Sequence, residues 1–214
     1  MGLIEINQNF SLTNNYLIIF IILLLIVWFT LVFYSLKKYG KIKTIRYFLP
    51  IMIISLFLES APIAHGNFYY PGYLVYLSVL GGGVPLIILM GWSINLFLFM
   101  HLGKKVGMKI YKKVNFLQLF IISCLSGFFA VCLDLLEDPI AHHNNWWVWT
   151  KSSAIAKFYG VPFSNFIGWF VIIGGMTLVT LLIDRSGFSE RRKTVLSFSS
   201  ILIVFIAIVV YFYL

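Results

Sequence analysis

Two stretches decide how this chain is read: Ser60-Ala61-Pro62-Ile63-Ala64-His65-Gly66-Asn67 and Glu137-Asp138-Pro139-Ile140-Ala141-His142-His143-Asn144. Each closes a long apolar run, and both contain Pro-Ile-Ala-His, 77 positions apart (62 to 139). The same shift carries Gly83-Val84-Pro85 and Gly91-Trp92 onto Gly160-Val161-Pro162 and Gly168-Trp169. Punctuation that recurs with one period on apolar segments marks a duplicated structural unit.

Composition says what solvent that unit meets. Of 214 residues 61% are hydrophobic and only 11% charged, with a mean hydropathy of +0.96. A soluble domain carries about 25% charged residues, so this is an integral membrane protein. Windows of membrane-spanning length place apolar runs at about 16–36, 47–61, 84–102, 115–136, 161–183 and 194–214. The expected fold is therefore all-α: one transmembrane domain over 1–214, built as a polytopic bundle of about six helices. The first run has no basic residue before it and Lys37-Lys38 directly after it, which reads as a retained helix rather than a signal peptide. The start Met1-Gly2-Leu3-Ile4-Glu5-Ile6 lacks the Ser or Thr of a myristoylation site.

Sixteen Lys and Arg give a net charge of +9, very unevenly placed. Five lie in 37–46, five in 104–113 and four in 185–193, leaving Lys151 and Lys157 on the other side. The positive-inside rule then puts the basic connections in the cytoplasm and both termini outside, in a prokaryotic cell membrane. On this reading the charge reflects topology and anionic lipid, not nucleic acid. Cys124 and Cys132 fall within the fourth run and read as packed thiols.

One crossing separates the two Pro-Ile-Ala-His segments, so helices two and four run in the same direction, as do three and five. This is a parallel repeat of a two-helix hairpin, about 47–102 and 124–183, flanked by helices one and six. Pro62 and Pro139 are expected to end or kink their helices, Pro85 and Pro162 to open new ones, and Gly91 and Gly168 to allow close helix contact. Taken alone, that is a packing unit without chemistry. The loops between, 66–82 and 143–159, are dense in Tyr and Trp, which suits an interfacial belt or the lining of a pocket.

The acids point to chemistry. Of seven Asp and Glu, four (Glu59, Asp134, Glu137 and Asp138) fall near the outer ends of the repeat-equivalent helices. Asp134 and Asp138 share a helical face, and no Lys or Arg in their helix offers a partner. An intramembrane carboxyl costs about 2.5–3.5 kcal/mol and calls for a task. Crowding and poor solvation favour at least one neutral acid, able to donate a proton, with a second carboxylate as base or water holder. The alternative is a set of acids reaching the interface or capping helix ends. Glu59 precedes its proline by three residues and Glu137 by two, so the halves have diverged at the candidate site. His65, His142 and His143 could add a metal site, but no HExxH or i, i+4 histidine pair supports one, and no metal is expected.

Asp134-x-x-x-Asp138-Pro139, Trp149, Tyr159-Gly160-Val161-Pro162, Asn165-Phe166 and Gly168-Trp169 together resemble the carotenoid biosynthesis membrane-protein family that includes CruF-type carotenoid hydratases. Glu59 and the segment from Val84-Pro85 to Trp92 resemble its first half, so the likeness spans about 59–169. Where that family's first half leads into Tyr-x-Tyr, this chain reads Phe68-Tyr69-Tyr70, with Tyr73-x-x-Tyr76 further on. The resemblance implies a hydro-lyase that needs no cofactor and adds water to the terminal double bond of an acyclic carotenoid. It implies Asp138 or Asp134 as acid and the other, or Glu59, as base. Trp92, Trp149, Tyr159 and Trp169 would face the cation, Asn165 would orient water, and Glu137 and His142 would complete the substrate site. Partners would be the isoprenoid substrate, entering sideways from the bilayer, and neighbouring enzymes of the pathway. A carotenoid end-group cyclase, or a lipid- or carotenoid-binding protein, is the alternative.

Overall fold

The computed structural model describes residues 3–6, 15–110, 115–150 and 156–213. Six helices are long and apolar enough to cross a membrane: α1 Asn15–Tyr39, α2 Lys41–Ala64, α3 Leu86–Ile110, α4 Phe116–His143, α5 Phe163–Arg185 and α6 Glu190–Tyr213. The protein is an all-α membrane bundle. The windows predicted the helices in order but clipped their ends, because Lys, Arg and acids lower the hydropathy of terminal turns without breaking them.

The basic segments are such terminal turns. Lys37 and Lys38 close α1, Lys41, Lys43 and Arg46 open α2, and only Gly40, at φ 80°, lies between them. Lys112, Lys113 and Lys151 lie outside the described residues, as do Met1 and Gly2. α1 and α6 keep most of their surface exposed, as peripheral helices in lipid do, whereas α3 is the most buried span. Close approaches of α4 depend on glycine: a Cβ on Gly103 of α3 would stand 2.3 Å from Ser126 Oγ, and one on Gly127 would stand 2.6 Å from the Phe170 carbonyl oxygen of α5.

Gly91 and Gly168, expected to do this work, do not. A Cβ on Gly91 would meet only Leu24 at 3.5 Å, and one on Gly168 would meet nothing within 4 Å. Both line a cavity instead. Of the two thiols, Cys132 is exposed on the outside of α4 rather than packed.

Both helices continue through their prolines, and their ends share one geometry. After α2, His65 (φ −88°, ψ 4°) precedes Gly66 at φ 67°, and Asn67 N–H donates to the Pro62 carbonyl. After α4, Asn144 (φ −89°, ψ 7°) precedes Asn145 at φ 56°, and Trp146 N–H donates to the Ala141 carbonyl. A left-handed residue with this bond is a Schellman stop, which only Gly or Asn adopts readily. The stops are 79 residues apart (65 to 144), so the repeated Pro-Ile-Ala-His strings are two residues out of structural step.

Short strands follow each stop. β2 (Phe68–Tyr69) pairs antiparallel with β5 (Val148–Trp149), fastening the ends of α2 and α4 side by side. β3 (Val75–Val79) and β4 (Gly82–Pro85) form a hairpin, with β1 (Ile4–Ile6) on its other edge, and β6 (Lys157–Phe158) pairs with β7 (Val161–Pro162). Each hairpin turns on two positive-φ residues, Leu80-Gly81 and Tyr159-Gly160, the twist that tight hairpins need. The turns are again 79 apart, whereas α3 and α5 start 77 apart (86 to 163). The four-residue β4 against the two-residue β7 absorbs the difference. Pro85 and Pro162 thus end strands immediately before a helix rather than sitting in its first turn.

Candidate active site

Because β2 and β5 hold the ends of α2 and α4 together, their acids meet. Counted from the stops, Glu59 lies six residues before His65 and Asp138 six before Asn144. The acids that looked divergent beside their prolines therefore occupy matching positions on the walls of one cavity of about 430 Å³.

Glu59 is held by two donors: Trp92 Nε1–H reaches Oε1 at 2.7 Å and the Tyr70 hydroxyl reaches Oε2 at 2.9 Å. Burial, and then the Glu59 carboxyl beside it, hold the Tyr70 phenol well above its ordinary range, so Tyr70 remains a donor. Opposite, Asp138 accepts from Trp147 Nε1–H at 3.1 Å and from Asn165 Nδ2 at 2.5 Å. The same Nδ2 donates to Asp134 Oδ2 at 2.9 Å, so one amide group spans both aspartates. Asp134 is 1% exposed and lies one turn behind Asp138, off the cavity wall, with Oδ1 unpartnered. Glu137 lines the cavity beside Asp138. None of the salt bridges among the described residues involves these four acids.

The walls are aromatic. Trp92 and Trp169 stack with ring centroids 4.0 Å apart and 8° between planes. Trp149 packs on Phe68 at 4.7 Å and Trp147 on Tyr70 at 6.0 Å, closing the top beneath the β2–β5 ribbon. α1 adds Phe20 and Leu24, and α6 adds Tyr211 and Phe212, so all six helices reach the cavity. Two of its lining residues, Ser164 on α5 and Tyr211 on α6, are exposed.

Of the residues chosen from sequence, Glu59, Trp92, Glu137, Asp138, Trp149, Asn165 and Trp169 line this space. Three others do not. Asp134 backs Asp138 instead of facing in. Tyr159 is 78% exposed at a hairpin tip, because the turn needs its positive φ and directs it away from the bundle. His142 lies off the wall against Gly160, where a Cβ would stand 2.5 Å from the ring. His65 lies instead on Phe212 and Tyr213, and among the described residues no three His, Cys, Asp or Glu converge as a metal site requires. Sequence reading missed Tyr70 and Trp147 as carboxylate donors, grouping them with the interfacial aromatics. It also missed Asn95, which lines the cavity from α3. Two donor-bearing aromatics within eleven residues of an intramembrane acid were the available signal.

Fold and site together define a polytopic membrane protein with an apolar, aromatic-walled cavity armed with carboxyl groups. The chain belongs to the carotenoid biosynthesis protein family, whose model matches residues 15–214. No curated protein and no solved structure gives a significant match.

Proposed function

We propose that the protein is a carotenoid end-group hydratase. One observation carries this: a doubly donated Glu59 and an Asp138 tethered to Asp134 line the same aromatic-walled cavity.

The aspartate pair carries one proton, since two buried anions on one amide without a cation are strongly disfavoured. Asp138, the member on the cavity wall, delivers that proton to the terminal carbon–carbon double bond. The π bond breaks, a C–H bond forms, and positive charge falls on the tertiary carbon beside the indoles of the cavity wall, a contact worth about 2 kcal/mol when desolvated. Water oxygen bonds to that carbon and its surplus proton goes to Glu59, whose oxygens already accept from Trp92 and Tyr70. Glu59 returns a proton to the aspartates across the cavity between turnovers. The sum is alkene plus water to tertiary alcohol, with no oxidant or reductant. The polyene tail lies in the bilayer, entering between α5 and α6. The basic helix ends face the cytoplasm, which puts both termini and the cavity at the outer side.

The test is pigment extraction after expression in a host that makes an acyclic carotenoid. A product heavier by one water supports the proposal. Unchanged mass with an altered spectrum replaces it with cyclisation, and no change replaces it with binding alone.

A further inference from the structure

We propose that Asn95 is the oxygen-holding group of the cavity: it positions the water that adds, and then the tertiary hydroxyl that results. Its catalytic meaning rests on the hydratase reading, whereas the oxygen site rests on the surroundings of Asn95 itself.

Asn95 is 7% exposed and lines the cavity three residues beyond Trp92, one turn deeper along α3. Its side chain makes no hydrogen bond among the described residues. Its polar neighbour on α3 is satisfied, and elsewhere on the wall Trp149 Nε1 is buried without a partner among the described residues. Ser93, two residues away, accepts from Trp28 Nε1 at 2.9 Å and donates to the Met90 carbonyl at 2.7 Å. Asn165, the residue the sequence offered as water holder, has Nδ2 committed to the two aspartates.

A buried amide left without a partner costs about 1–3 kcal/mol, so whatever fills the cavity must satisfy it. A hydrocarbon end group has nothing to offer. Water and a hydroxyl each supply a donor and an acceptor. Asn95 Oδ1 accepting one water hydrogen leaves an oxygen lone pair for the cation, and the other hydrogen leaves as a proton to Glu59. Hydration and cyclisation share their first step and differ only in whether oxygen is at hand when the cation forms. In this cavity Asn95 makes that choice.

The experiment uses Asn95→Leu, close in volume and without polarity, in the full chain. Purified protein in detergent is titrated with lycopene and with its singly hydrated tertiary alcohol, following quenching of tryptophan fluorescence. Wild type is expected to prefer the alcohol, and N95L to lose that preference by about tenfold with hydrocarbon affinity unchanged. In the pigment assay N95L is expected to form about tenfold less hydrated product, with part of the consumed substrate appearing at unchanged mass. Equal alcohol preference and equal hydrated product in N95L and wild type overturn the proposal. If N95L also loses lycopene binding, Asn95→Ala, which cannot overfill the site, is judged by the same two criteria. If wild type makes no hydrated product, the hydratase reading falls, while the alcohol preference still decides the oxygen site.

Discussion

The two ends of the bundle bury acids in opposite ways. At the basic end Arg46, whose side chain is 1% exposed, reaches Asp184 with Nη2 at 2.6 Å and Glu190 with Nη1 at 2.8 Å. Tyr47 donates to Asp184 at 2.6 Å, Lys43 stands 3.4 Å from it, and Lys193 stands 3.3 Å from Glu190. Both acids there have cationic partners, and the network ties α2 to α5 and α6. At the other end Glu59, Asp134 and Asp138 accept from neutral donors, and neither they nor Glu137 has a cationic partner among the described residues. Breaking a buried pair exposes the full cost of the orphaned charge, so the first arrangement holds helices together. Acids left without a counter-ion on a cavity wall are costly for the fold and useful for moving protons.

If that contrast is right, substitutions at the two ends will separate activity from stability. Asp138→Asn is expected to have the largest effect, lowering hydrated product by about 10²–10⁴-fold while stability falls by no more than about 1–3 kcal/mol, because the isostere still accepts from Trp147 and loses only the acceptor facing Asn165. Arg46→Met should do the reverse: a loss of about 3–5 kcal/mol in unfolding, with product per folded molecule unchanged. Activity lost without stability at Arg46 would erase the distinction between the ends. Glu59→Gln is expected to cost about 10²-fold in product, since the amide replaces an acceptor where Trp92 or Tyr70 donates. Gly168→Leu should reduce turnover several-fold by filling the cavity at its lipid side, while Gly175→Leu leaves it unchanged. A Cβ on either glycine would meet nothing within 4 Å, so stability controls for both, and equal turnover in the pair would place the substrate elsewhere.

Much of the site could be read from the chain because intramembrane acids are rare and expensive. Glu59, Asp138 and Glu137 stood out for that reason, and Trp92 and Trp169 through the 77-residue repeat. The repeat also misled. Proline and histidine strings were taken as landmarks, whereas the helices actually stop at Gly66 and Asn145, whose left-handed backbones a string comparison does not match. Tyr159 was chosen for its motif and lies on a turn, and Asn165, chosen to orient water, has its Nδ2 committed to two aspartates, leaving only Oδ1 for that role. Asn95 carried no motif, because an asparagine inside an apolar helix declares itself only when the cavity it lines is seen.

By itself the sequence determined the solvent, the six spans and the presence of carboxyl groups at membrane depth, because hydropathy and charge act locally along the chain. Tertiary structure alone decided which acid faces the cavity, which backs it, and which donors hold each one. Those assignments depend on the β2–β5 ribbon, a pairing between segments about eighty residues apart that no local preference records.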